Sequence, residues 1–204
     1  MELLTSKLDN IQETVNSQGY RCPEWNDCDW NNSILMLGAE EVFGPGVDEE
    51  FILPRLIESK LDIPVINLGF VRSSPTFHWV NSIRLVKENI KPIAVIYVWP
   101  DPIRYSEFVD ASGVIVENSG HWTTRTGLGL AWARHKSQGK HFLRYLSSSC
   151  KLMWNSPSFH YSSASTDIEH ITSIGPQIDA DKNSYPQTKS HRMWAGRILD
   201  DVKL

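Results

Sequence analysis

The chain is short of cysteine, has no cluster of like charge and contains no long apolar run, and each shortage excludes a class of protein. Of its 204 residues only Cys22, Cys28 and Cys150 are cysteines. An odd number with no C-x-x-C pair does not make a disulfide framework. Cys22 and Cys28 also lack the second pair of ligands that a structural metal site needs. Free thiols in a reducing compartment are the expectation, with no metal. Twenty Lys and Arg stand against 24 Asp and Glu, a net charge of −4. The basic residues are scattered, and Lys136, Lys140 and Arg144 read as one solvated helix face. A phosphate-backbone binder needs a concentrated basic stripe, so nucleic acid is not an expected partner. No run approaches the roughly 18 apolar residues of a membrane span, and Met1 to Asn16 lacks the apolar centre of a signal peptide. A location away from membranes, in the cytoplasm, is therefore expected. None of the seven histidines forms an H-x-x-x-H pair. His135 and His141, six apart, do not share a helix face well. A metal site from Glu40, Asp181 and His191 is the one combination to test. No repeat, low-complexity segment or cofactor fingerprint is evident, and no cofactor is expected.

What is present is an alternation of strands and helices. The length suits one domain with a full core. Residues 1–32 read as an N-terminal extension packed on a domain spanning 33–204. Within the extension, Leu3, Leu4, Leu8, Ile11 and Val15 give Met1–Ser17 a weak helical period. Tyr20–Asn32 is a polar loop with Trp25 and Trp30. Ile34–Leu37, Pro64–Gly69 and Ile93–Trp99 are continuous apolar runs, the pattern of strands buried on both faces of a parallel sheet. Glu49–Leu61 and Pro75–Asn89 lie between them with helical periodicity. Such β-α-β alternation predicts a parallel sheet covered by helices on both faces. Pro100–Thr126 reads as an excursion with a hairpin at Asp110–Gly113. Gly127–Ser149 reads as a helix, with a candidate interruption at Gly139. Lys151–Trp154 is the candidate fourth strand, Ser156–Ser165 a serine-rich loop and Gln187–Val202 a closing helix. Eight tryptophans are many for this length. Trp99, Trp132 and Trp194 fall in periodic apolar segments and read as core. Trp25, Trp30 and Trp122 fall in loops, where they are either buried or an aromatic platform for a glycan or protein.

One segment carries the chemistry. Ser33–Leu37 runs into Gly38-Ala39-Glu40-Glu41-Val42-Phe43-Gly44-Pro45-Gly46-Val47. An apolar strand, a glycine, a tight turn and a Gly-Pro-Gly loop are how an α/β enzyme presents a nucleophile. This block is similar to the first block of the SGNH (GDSL-type) hydrolases, which reads strand-Gly-x-Ser and then Phe/Trp-Gly-x-Gly. Ile66-Asn67-Leu68-Gly69-Phe70-Val71-Arg72 resembles their second block, Asn-x-Gly-x-x-Gly. Ile96–Arg104 stands where the third belongs. Asp181-Lys182-Asn183-Ser184-Tyr185-Pro186 stands where Asp-x-x-His-Pro belongs. The order and spacing of the four blocks are fairly specific, and the resemblance spans about Asn31 to Val202. It implies a single three-layer α/β/α domain of the flavodoxin-like, SGNH-hydrolase type. The compact members of marine bacteria and their phages are the ones it resembles, which implies a virion-associated or host-interaction role.

The same comparison implies that the hydrolytic machinery is lost. Glu40 stands at the nucleophile position, Arg72 at the glycine whose N–H helps bind the oxyanion, Tyr185 at the histidine and Lys182 at the aspartate, with Asp181 one residue away. The third block has no Gly-x-Asn-Asp around Asp101. A carboxylate at Glu40 suits the start of a helix, as a cap or ion-paired residue or as a group that touches a ligand. Arg72 and Arg104 follow strand ends and either bind an anion or neutralise Glu40 and Asp101. Glu40 and Arg72, at the ends of neighbouring strands, are expected to pair their charges across the crevice. The implied function is a pseudoenzyme, a binding or structural module whose partner is a protein or glycan rather than a small molecule. The competing reading is an esterase or O-acetyl-glycan hydrolase with rearranged chemistry, using Ser73 with His78 or His191. For His191 itself, a helix-surface or supporting role is the expectation.

Overall fold

A computed structural model describes residues 3, 13–102, 104–105, 120–121, 129–164, 167–181 and 185–204, and only the backbone of 104–105, 120–121 and 129–138. The N-terminal helical period, the hairpin tip at Asp110–Gly113, Trp122 and Lys182 lie outside the described residues.

Five strands form one parallel sheet. They are β1 (Ile34–Gly38), β2 (Val65–Gly69), β3 (Ala94–Trp99), β6 (Ser158–Ser162) and β7 (Thr172–Ser173), in the order β2-β1-β3-β6-β7. Taken along the chain, this is the doubly wound order of flavodoxin-like folds. A separate antiparallel ladder pairs β4 (Arg104–Tyr105) with β5 (Gly120–His121). Among the described residues the helices are α1 (Glu40–Phe43), α2 (Leu53–Leu61), α3 (Pro75–Lys87), α4 (Gly129–Met153) and α5 (Thr188–Asp201).

Side chains alternate across the sheet, so each strand feeds two cores. Leu35, Leu37, Ile66, Leu68, Val95, Tyr97 and Trp99 pack with Phe77 and Leu85 of α3 and Leu143 and Cys150 of α4. Ile34, Met36, Val65, Ala94, Ile96 and Val98 pack with Leu53 and Ile57 of α2 and Trp194 and Ile198 of α5. Burial of both sets is why the central strands read as unbroken apolar runs. Trp25 and Trp30 lie half-buried against the first core.

Two expectations need correction. Lys151–Met153 is the last turn of α4, and the fourth strand of the main sheet is Ser158–Ser162. Its polar residues disguise it, yet His160 and Ser162 both find a partner on Trp99. His160 Nδ1 accepts the Trp99 indole N–H at 3.0 Å, and Ser162 Oγ donates to the Trp99 carbonyl at 3.2 Å. The second correction is at Gly139, where α4 runs through without interruption. A Cβ there would stand 2.4 Å from the Pro102 carbonyl oxygen. The glycine marks a close approach of helix and loop, not a break.

The segment before β1 is tied to the loop after α1. Arg21, 6% exposed, donates to the carbonyls of Phe43, Gly44 and Val47 at 3.4, 2.6 and 2.8 Å. Its Nε also pairs with Glu49 at 2.8 Å. Gly44 and Gly46 carry φ of +73° and +72°, which glycine adopts without a Cβ penalty. Arg21 therefore holds the Gly-Pro-Gly loop in place.

Candidate active site

In an open α/β sheet the ligand crevice lies beyond the carboxyl ends of the strands, where the strand order reverses. Here that point is between β1 and β3. Gly38 and Gly69 are paired across β1 and β2, and both are glycine because α1 sits directly on them. A Cβ on Gly69 would meet the Phe43 nitrogen at 2.4 Å, and one on Gly38 would meet Val42 Cγ2 at 2.4 Å. Asn67 fastens the same contact. Its Nδ2 donates to the Val42 carbonyl at 3.1 Å, and its Oδ1 accepts the Gly69 N–H at 2.9 Å.

This packing delivers Glu40, only 6% exposed, to the first position of α1. Its Oε1 accepts the backbone N–H of Arg72 at 3.1 Å. Arg72 has φ of +62°, the left-handed conformation that favours glycine. Its side chain is exposed. The expected charge pairing is thus corrected. The two residues meet, but through the Arg72 main chain, and no ion pair among the described residues joins carboxylate to guanidinium. The left-handed turn aims the N–H inward and the side chain outward.

The remaining positions divide between the crevice and its rim. Asp101 follows β3 and is half-buried. Arg104 begins β4, and only its backbone is described. Asp181 and Tyr185 close a turn, with the Tyr185 N–H on Asp181 Oδ1 at 2.8 Å and the Asp181 N–H on the Tyr185 carbonyl at 3.1 Å. That turn reaches the first loop, since a Cβ on Gly46 would lie 3.8 Å from Asp181 Oδ2. The Ser163 hydroxyl, just past β6, donates to Glu41 Oε1 at 2.8 Å. Loops following β1, β2 and β6 therefore converge with the turn before α5.

His191 does not join this group as a ligand or base. It is fully buried on α5, and its Nδ1 accepts the N–H of Leu53, the first residue of α2, at 3.0 Å. This corrects the helix-surface expectation: the imidazole caps a neighbouring helix whose N-cap residue offers no side chain. Burial pushes its pKa down to about 4, with Arg21 adding to the effect and Asp179 opposing it. Among the described residues no three His, Cys, Asp or Glu side chains form a metal-binding group, so the Glu40–Asp181–His191 combination is not assembled.

Ser73 and His78 do meet. Ser73 Oγ lies 2.7 Å from His78 Nε2. The serine hydroxyl also donates to the Phe70 carbonyl at 2.6 Å. A hydroxyl has one proton. Given to Phe70, it leaves the imidazole as the donor of the serine–histidine bond, the reverse of what general-base catalysis needs. Both residues are buried, Ser73 at 0% and His78 at 1% exposure. Behind them Ser82 Oγ and Tyr97 Oη lie 2.7 Å apart, and the Trp154 indole donates to Tyr97 Oη at 2.7 Å.

Sequence reasoning missed Arg21 and Asp179. Asp179 accepts the N–H groups of Gln187, Lys189 and Ser190 at 3.3, 2.8 and 2.9 Å, and so caps α5. Burial opposes its charge, but the bonds from Ser190, Lys189 and Gln187 hold its carboxyl below the usual range. It stands eight residues before the N-cap, outside any local capping pattern. Arg21 carries no sequence signal at all.

No family model matches the sequence, and no curated protein matches it. Among solved structures the chain is similar to a carbohydrate esterase family 2 enzyme with a carbohydrate-binding domain from Corynascus thermopiles (Myceliophthora fergusii), at 9% identity and a TM-score of 0.48. It is similar to an acetyl xylan esterase from the rumen bacterium Butyrivibrio proteoclasticus, at 10% identity and 0.48. A protein from Desulfitobacterium hafniense described as a lipolytic member of the G-D-S-L family follows, at 14% and 0.46. These alignments cover 88%, 83% and 84% of this chain and 66%, 62% and 100% of the others. The chain thus spans less than two thirds of the first two. The likeness is one of fold.

Proposed function

We propose that this SGNH-hydrolase-like scaffold is non-catalytic and serves as a binding module for a protein or glycan, in the assembly setting that the sequence resemblance implies. The observation that carries the reading is the Glu40–Arg72 hydrogen bond. A carboxylate stands at the strand end where a nucleophile is expected, and it takes the N–H that would bind an oxyanion. The resident anion competes with the very charge that acyl transfer must stabilise. Loss of a triad serine or histidine costs on the order of 10⁶ in kcat, and loss of one oxyanion donor a further 10² to 10³. An exposed apolar strip also supports the reading. Along α4, Phe142, Tyr145 and Leu152 are exposed at 50%, 66% and 87%, on one side of the helix.

The test is incubation of the pure protein with short-chain p-nitrophenyl esters and with a fluorophosphonate probe. The expected result is hydrolysis at the buffer rate and no labelled serine. Turnover well above buffer, or labelling of any serine, overturns the reading. Labelling of Ser73 in particular would establish the second one, an ester or O-acetyl-glycan hydrolase built on Ser73 and His78, whose side chains lie 2.7 Å apart.

A further inference from the structure

The proposed binding role leaves two thiols unused. Cys22 and Cys28 are both free and half-buried. The chain between them is folded back by a short 3-10 turn, Trp25–Asp27, with the Asp27 N–H on the Glu24 carbonyl at 2.9 Å. Asn16 Nδ2 reaches Cys22 Sγ at 3.6 Å and the Pro23 carbonyl at 3.2 Å. Cys28 Sγ donates to the same carbonyl at 3.7 Å. One turn therefore gathers both sulfurs. The third cysteine differs, since Cys150 is fully buried on α4, beside Tyr97.

We propose that Cys22 and Cys28 form a redox-active dithiol that closes reversibly to an intrachain disulfide, with a small-molecule disulfide of the glutathione type as oxidant. The roles follow from the surroundings of the two sulfurs. The neighbouring Cys22 thiol holds the Cys28 thiol below its ordinary pKa against the opposing effect of burial, while Cys28 and burial push the Cys22 thiol up. Cys28 is then the attacking thiolate, the reactive form of a cysteine. Its Sγ attacks one sulfur of the oxidant, the oxidant's S–S bond breaks, and one thiolate leaves and takes up a proton. Cys22 loses its proton to solvent and attacks Cys28 Sγ, releasing the second thiol. The pair gives up two electrons and two protons, and the oxidant becomes two thiols. The ring so closed contains Trp25. Trp25 packs on Tyr20 at 5.2 Å, and Tyr20 on Phe70 at 5.1 Å, two residues before Arg72. Oxidation ties down the segment that lies against the Arg72 loop.

The test is treatment of the full-length folded protein with excess glutathione disulfide, read by intact mass and peptide mapping. The expected product is two hydrogens lighter, with Cys22 linked to Cys28, Cys150 still a thiol, and full reversal by dithiothreitol. Cys22→Ser should stop at a lasting glutathione adduct on Cys28, and Cys28→Ser should react more slowly than wild type. A lasting adduct on the wild-type chain, a disulfide between two chains, or no reaction in the folded protein where the urea-unfolded control reacts would each overturn the proposal.

Discussion

The main-chain N–H of Arg72 is held by the carboxylate of Glu40, 3.1 Å away and 32 residues earlier in the chain. The link runs through the backbone, so the two side chains have separate energetic roles. Glu40→Ala removes the acceptor from a part-buried N–H and should destabilise by about 1–3 kcal/mol. Arg72→Gly keeps the N–H and relieves a left-handed φ. It should be neutral or stabilising, within about 1 kcal/mol. Urea denaturation of both variants checks this. An Arg72→Gly loss as large as that of Glu40→Ala would mean that the guanidinium matters after all.

Restoring the hydroxyl should not restore chemistry. Glu40→Ser places a serine at the strand end, but Tyr185 stands where the sequence resemblance puts the histidine, and His78 is bonded to Ser73. A serine without a base is a weak nucleophile. Hydrolysis of p-nitrophenyl acetate by this variant should match buffer. Clear turnover would reveal a base already in place.

The Arg21 clamp should be costly to lose. Arg21→Met leaves the carbonyls of Phe43, Gly44 and Val47 without these donors, at about 3 kcal/mol or more. The Glu49 partner is half-exposed, so its ion pair contributes little. Arg21→Lys should rescue poorly, because an ammonium cannot reproduce the planar fork. Denaturation midpoints of the two variants test the point. Full stability in Arg21→Lys would make charge, rather than geometry, the important property.

Acid should weaken the fold before the carboxylates titrate. Burial lowers the folded pKa of His191 to about 4, and burial with His170 and Lys151 lowers that of His160 to about 3. Unfolded histidine titrates near about 6.5. Between these values the unfolded chain binds more protons, so stability rises with pH. It is complete above about pH 6.5 and falls as pH drops toward about 4. At about 1.4 kcal/mol per unit, His191 alone accounts for roughly 3 kcal/mol across that window. Urea midpoints at about pH 8 and about pH 5 should differ in wild type and converge in a His160→Gln/His191→Asn double variant. Equal wild-type midpoints would refute the account.

Two helical glycines should respond in opposite directions. Gly196 on α5 has open space where a Cβ would go, so Gly196→Ala should stabilise by up to about 1 kcal/mol. Gly139 meets the Pro102 carbonyl at 2.4 Å, so Gly139→Ala should destabilise despite the better helix former. Thermal melts of the pair test this, and a gain at Gly139 would show that the helix does not press on that loop.

The sequence by itself determined the parallel α/β scaffold. Ile34–Leu37, Pro64–Gly69 and Ile93–Trp99 were legible because burial on both faces leaves a purely local signature, an unbroken apolar run. It also located Glu40 and Arg72 at strand ends, through spacing from Gly38 and Gly69. Ser158–Ser162 escaped because His160 and Ser162 look solvent-facing until Trp99 satisfies them. Only the tertiary structure decided how the site residues engage. That Arg72 offers its N–H and not its guanidinium depends on a φ of +62°. That His191 caps α2 depends on a partner 138 residues away. Side-chain periodicity is a property of neighbours in sequence. Hydrogen-bond partnership belongs to neighbours in space, and it follows from how the layers close over the sheet.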